Sequence, residues 1–244
     1  MKHFYVMILL LAGLLSPVYA QVPVYGEYKS PDKKVVLKVY QEQTRFFFQV
    51  FRDNQLLLDK SPLGIETSEG SFYNDLTLRS KIKIKSGREK YSLTVGKQSK
   101  IKKKYREITM PLINLQGKEM DLVFRVMNDG VAYRYAFQDK SSCTVFKEHG
   151  GFQLPAGAKG YLTPLSKPKT GFAGTNPSYE EHYVMDVPAG TASPIGIGWT
   201  FPVLFEVPGS GWLLLSETGV DGSYCGTHLD EQSNGGLYAV AYPS

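Results

Sequence analysis

The residues with the clearest capacity for chemistry lie in Gly174–Val187, reading GTNPSYEEHYVMDV. Gly174, Asn176 and Pro177 oppose regular structure, so the stretch opens as a loop. From Tyr179 it alternates, with Glu180, His182 and Val184 on one side and Glu181, Tyr183 and Met185 on the other. A loop that delivers carboxylates into a strand mouth is a frequent place for functional groups. Adjacent strand residues point to opposite faces, so Glu180 and Glu181 cannot be the opposed carboxylate pair of glycoside hydrolysis. A Glu180 oxygen could instead be one of the about six to eight that a calcium ion takes. One such ligand holds no calcium, and the rest would come from elsewhere.

The other candidates are weaker. Asp186, Glu206 and Glu217 lie near later strands, and Glu66, Glu69 and Asp75 are scattered without a ligand-loop spacing and read as solvated. His149, His182 and His228 have no paired zinc spacing. There is no nucleophile elbow, no phosphate loop and no thiol flanked as a catalytic one. Arg125 and Arg134 could bind a sugar or an acid, but pairing with carboxylates on neighbouring strands is the simpler reading. Trp199 and Trp212, among sixteen tyrosines, suit stacking on sugar rings; singly, each reads as packing.

The elements that must position these residues are strands. Period-2 alternation and turn signals recur, and no long 3.6-residue apolar period is present. Ser30-Pro31-Asp32-Lys33 turns into Val35–Tyr40; Arg45–Phe51 follows, and Asp53-Asn54 turns it into Gln55–Asp59. Phe46-Phe47-Phe48 puts rings on both faces of its strand, as between two layers. Leu63–Asn74 reads as loop. Lys81–Lys85 reads as a half-buried strand, with Tyr91–Val95 and Lys104–Met110 after it. Asp121–Asn128 and Val131–Phe137 form the clearest hairpin, with Gly130 expected to supply a positive φ. Later strands are expected at Phe152–Leu154, Gly160–Leu162, Glu181–Val187, Gly196–Phe201, Leu204–Val207, Trp212–Ser216, Ser223–His228 and Leu237–Ala241. More than ten short strands without a long helix predict one large all-β sandwich.

Met1–Ala20 has the pattern of a cleaved secretory signal, with Lys2 and His3, an apolar Met7–Leu15 and a small-x-small end at Val18-Tyr19-Ala20. The apolar run is too short for a membrane span. Residues 21–244 are then the mature, exported domain, and the net charge of +5 becomes +4 without Lys2. Ten Lys/Arg face a single acid, Glu89, over Lys81–Lys104. Lysines guarding an exposed sheet edge explain this run better than nucleic-acid binding, for which no reader motif is present. Cys143 and Cys225 are permitted a disulfide in an oxidising compartment, but their spacing does not require one.

Several stretches together resemble the N-terminal domain of glycoside hydrolase family 97. They are SPDKKVVLKVY (30–40), PLGIET (62–67), FRVMNDGVAYRYAF (124–137), GTNPSYEEHY (174–183), GWTFPVLF (198–205) and SETGVDGSYCGTHL (216–229), in order along nearly the whole mature chain. The resemblance implies a β-super-sandwich similar to galactose mutarotase, the non-catalytic N-terminal part of a periplasmic or secreted α-glucosidase or α-galactosidase. It also implies a catalytic (β/α)8 barrel and a small C-terminal β domain as partners, an α-linked oligosaccharide substrate, and an active-site calcium. One calcium ligand would come from this domain, best matched by Glu180, with Glu181 the fallback one position on. The barrel is not in these 244 residues, so the chain is expected to be truncated before it and inactive alone. A free-standing secreted carbohydrate-binding module and a non-functional envelope remnant are the alternatives.

Overall fold

The computed structural model describes residues 24–138, 143–166, 183–194, 196–221 and 225–243. Among them the regular structure is almost entirely antiparallel strand, with no α-helix and one short 3-10 turn at Asn234–Gly236. The expected all-β sandwich is what forms, because alternating side chains give each strand one face for a core and one for water.

The largest sheet has eleven strands. Its first four are β1 (Val24–Lys29), β2 (Val35–Glu42), β3 (Arg45–Arg52) and β4 (Gln55–Pro62), paired in chain order. Beyond β4 the order is β13 (Gly151–Gln153), β19 (Leu237–Ala241), β18 (His228–Asp230), β16 (Gly196–Val207), β14 (Lys159–Ser166) and β15 (Val184–Pro188), with β17 (Gly211–Leu215) also paired to β16. β13 joins β4 through one register pair, Gln153 with Asp59.

A five-stranded sheet is built on β9 (Lys100–Ile113), which pairs with β10 (Glu119–Met127) on one side and with β7 (Thr77–Leu78) and β8 (Lys83–Ser92) on the other. β11 (Gly130–Phe137) adds to β10. A small third sheet places β5 (Ile65–Thr67) between β6 (Gly70–Phe72) and β12 (Val145–Glu148). The core lies between the layers: Leu37, Phe46, Phe48, Phe72, Ile108, Met110, Phe124, Trp199, Phe205 and Tyr238 are all buried. Phe48 meets Phe124 at 6.0 Å and Tyr133 at 5.6 Å, joining the two larger sheets through aromatic contacts.

Four local expectations are corrected. Residues 63–74 are not simply loop, since β5 and β6 form a tight hairpin there. Gly130 is not a positive-φ turn residue: Asn128 and Asp129 make the turn, and Gly130 already pairs with Met127 in the ladder. Gly196–Phe201 and Leu204–Val207 are one strand, β16. The lysine-rich run 81–85 is covered at only one of its two isoleucines: Ile82 packs against the core, whereas Ile84, at the start of β8, is 56% exposed. The Phe46-Phe47-Phe48 reading holds, with Phe46 and Phe48 in the core and Phe47 outside under the Arg45 and Lys60 cations.

Candidate functional site

Glu180, its fallback Glu181 and His182 lie outside the described residues. What is placed is the frame around them. In sequence they fall between β14, which ends at Ser166, and β15, which starts at Val184. β15 is the edge of that sheet and pairs with β14 through Leu162 and Val184. Leu162 is buried, so Val184 faces inward and Met185 outward.

The outward face at this edge is apolar and uncovered. Met185, Trp212 and Leu214 are each more than half exposed, as is Tyr183 just before β15. The Tyr161 ring lies 5.4 Å from that of Trp212. Leu204 sits opposite both Tyr161 and Leu214, so one patch spans β14, β16 and β17. The edge is shaped by a bulge in β15, where Asp186 has φ +56 and accepts a 3.0 Å hydrogen bond from the Tyr161 hydroxyl. That bond raises the Tyr161 pKa. Soluble domains rarely leave such a patch without a partner or ligand. Trp199, the other candidate for sugar stacking, is fully buried in the core.

A second cluster was not legible beforehand. Glu148, at the end of β12, is 8% exposed. Burial, partly opposed by a Tyr133 hydrogen bond and reinforced by the nearby Glu217 charge, pushes its pKa from 4.5 to about 7. The Glu217 carboxylate accepts a 2.8 Å bond from the Thr227 amide. A Cβ on Gly150 would stand 2.7 Å from Glu148 Oε1, so the glycine makes room for this carboxyl group. Gly150-Gly151 just after Glu148 was the available signal. A group poised near neutrality can exchange protons, but Glu148 is a buried anchor between strands and does not face open solvent.

The remaining candidates are structural. Arg125 pairs with Glu107 at 2.8 Å and with Glu89, which bears out the ion-pair reading, whereas exposed Arg134 makes no ion pair among the described residues. Glu66 and Glu69 are not merely solvated: Glu66 lies 3.3 Å from His149 Nε2, and Glu69 takes Lys118 at 2.6 Å. His149 also stacks on Tyr73 at 3.7 Å. Asp75 ties its segment to the β2–β3 turn by accepting from the Thr44 hydroxyl at 3.0 Å. Buried His228 has its pKa lowered by desolvation, which keeps the ring neutral. Glu206 is exposed opposite Trp212. Cys143 and Cys225 are free thiols.

Among the described residues no three His, Cys, Asp or Glu side chains gather as a metal cage. The placed part of this chain therefore does not fit a calcium ion by its own donors. No helix among those residues is long and apolar enough to cross a membrane.

Comparison with known proteins agrees with this architecture. A probable retaining alpha-galactosidase of Streptomyces bingchenggensis (strain BCW-1) is 31% identical over 198 residues, covering 79% of this chain and 28% of that protein. The crystal structure of a beta-arabinopyranosidase superposes with a TM-score of 0.85 at 38% identity, over 90% of this chain and 36% of the other. A Glycoside Hydrolase Family 97 enzyme from Pseudoalteromonas sp. strain K8, in complex with acarbose, shares the fold at a TM-score of 0.73 and 17% identity, over 89% of this chain and 32% of the other. The chain thus spans about a third of the length of these relatives. The family model described as Glycosyl-hydrolase 97 N-terminal matches residues 28–244, and the chain belongs to that family.

Proposed function

We propose that this chain is the non-catalytic N-terminal domain of an exported, exo-acting α-glycosidase. Its outer face at β14–β17 packs on a catalytic (β/α)8 barrel. The observation that carries this reading is the exposed patch of Met185, Trp212 and Leu214, on and beside β15, the strand that follows the Glu180 segment in sequence. Relatives about three times as long supply a reason for such a patch to be covered. Of the α-glucoside and α-galactoside substrates expected, the α-galactoside is supported by the name of the relative at 31% identity. The signal-like Met1–Ala20 supports a periplasmic or secreted setting.

In this reading Glu180 lends one carboxylate to a calcium ion whose other ligands belong to the barrel, with Glu181 as the fallback. Calcium titration tests it in two settings. The 244-residue chain alone should show no saturable calcium binding below about 1 mM, the weak end of protein calcium sites. In an enzyme carrying this domain, Glu180→Gln should lower calcium affinity and kcat together. Wild-type values for both would remove Glu180 from the site.

A second reading is a free-standing carbohydrate-binding module, favoured by exposed Trp212 with the half-buried Tyr161 ring beside it. Saturable binding of α-galactosides by the isolated chain, lost in Trp212→Ala, would select it.

A further inference from the structure

β9 belongs to two environments. From Ile108 to Leu112 its inward residues Ile108, Met110 and Leu112 are buried in the core. Towards its start the strand outruns the sandwich and continues, with β8, as a projecting two-stranded ribbon. The face that carries the core residues keeps its parity along the ribbon, yet its chemistry changes completely. Arg106, Lys104, Lys102 and Lys100 follow Ile108 on β9, and Arg88 and Lys90 join them from β8.

Register makes this cluster costly. Arg88 stands directly opposite Lys104, and Lys90 directly opposite Lys102. Like charges across an antiparallel pair destabilise it. The acids of the region lie on the other face: Glu89 and Glu107 pair with Arg125, and Asp129 with Lys103. The six cations on the core-side face are all exposed and form no ion pair among the described residues. Edge protection needs scattered lysines, not six on one face with every acid sorted to the opposite one.

The tip adds a second property. Tyr91, Leu93 and Val95 are exposed, Val95 at 83%, and the turn is closed by a 2.8 Å bond from the Leu93 amide to the Ser99 carbonyl. A cationic stem ending in apolar side chains matches an interface with anionic headgroups outside and hydrocarbon beneath. A soluble polyanion would use the stem and leave the tip without a role.

We propose that the β8–β9 ribbon docks this domain on an anionic phospholipid surface, with Arg88, Lys90, Lys100, Lys102, Lys104 and Arg106 over the headgroups and Leu93 and Val95 entering the acyl boundary. The interaction surface is separate from the apolar patch at β14–β17 and does not depend on that patch's partner.

Co-sedimentation of the 244-residue chain with vesicles tests the proposal. Vesicles of equal phosphatidylglycerol and phosphatidylcholine should pellet the chain at low salt and release it as salt rises. Pure phosphatidylcholine should bind at least about tenfold more weakly, since each basic residue near an anionic surface contributes severalfold. The variant Arg88→Ser, Lys90→Ser, Lys102→Ser, Lys104→Ser should bind phosphatidylglycerol vesicles on the order of 100-fold more weakly. Leu93→Ser with Val95→Ser should lose about tenfold. The apolar Met7–Leu15 segment is common to all variants and cancels in the comparison. The four-serine variant relieves like-charge pairs, so it should melt no lower than the parent, and that melt separates lost binding from lost folding. Equal binding to both vesicle types, or by parent and four-serine variant, overturns the proposal. A fully effective dextran sulfate or DNA competitor, with no effect of the tip substitutions, overturns it too and makes the ribbon a soluble-polyanion site.

Discussion

The Tyr133 hydroxyl donates a 3.1 Å hydrogen bond to Glu148 Oε1, tying β11 of the five-stranded sheet to β12 of the three-stranded one. Tyr133 also packs its ring against Phe48, Phe124 and Phe152. One side chain therefore serves the aromatic core with its ring and the buried carboxyl group with its hydroxyl.

Glu148 makes stability depend on pH in a calculable direction. Its pKa is about 7 in the fold against an ordinary 4.5, so between these values the folded chain holds a proton that the unfolded chain has released. Its stabilising share is present below about pH 4.5 and is lost as pH rises through about 7. The loss is on the order of 3 kcal/mol, from about 1.4 kcal/mol per pKa unit. Glu148→Gln should flatten the denaturation midpoint between pH 5 and 8 by roughly that amount. An unchanged pH slope would show that the carboxyl group is not buried as described.

Tyr133→Phe should act on the same group without disturbing the ring packing. The hydroxyl lowers the Glu148 pKa, so its removal should move the carboxyl titration further up, as read by carbon-13 NMR of Glu148. Stability at neutral pH should fall by about 1 kcal/mol. A downward shift would contradict the donor role.

Gly198→Ala should be among the most damaging single changes in the sheet. Gly198 has φ +147, and an added Cβ would stand 1.9 Å from the Leu229 carbonyl oxygen. That atom is backbone in a neighbouring strand and cannot swing aside. The expected loss is on the order of 3 kcal/mol, or about 10 °C in Tm. A melt within a few degrees of the parent would mean that β16 and β18 are not so closely apposed.

Trp212→Ser with Leu214→Ser should leave the isolated fold almost unchanged, within about 0.5 kcal/mol, because both side chains already face water. Light scattering should instead report less self-association than the parent. A large drop in Tm would show that this face is packed in the isolated chain.

Much of the sandwich was legible because alternation is a local property. The β2–β4 meander and the β10–β11 hairpin fall where period-2 runs and turn residues placed them. The misses have tertiary causes. Lys-Ile-Lys-Ile-Lys has the same period however far a layer reaches over it, and here the core meets Ile82 but leaves Ile84 exposed. Gly150-Gly151 was the sole local hint of Glu148, whose burial arises from strands of different sheets meeting. The apolar outer face depends on β17 pairing beside β16. Glu180 was singled out by the loop-to-strand pattern of Gly174–Val187, and its role as a calcium ligand rests on the resemblance of the 174–183 stretch.

The position of β19 has a consequence for how the chain folds. β1–β4 pair in chain order and can zip from local contacts, whereas among the described residues β13 and β18 are bridged only by β19, at Leu237–Ala241. The central join of the eleven-stranded sheet must therefore wait for the last strand of the sequence to arrive. During synthesis the first meander can be native while β13 and the β14–β18 half still lack their connecting strand. That interval exposes two unpaired sheet edges. Pulse-labelled nascent chains stopped just before Leu237 should be protease-resistant through β4 and across the locally paired β8–β11, and sensitive at β13 and β18.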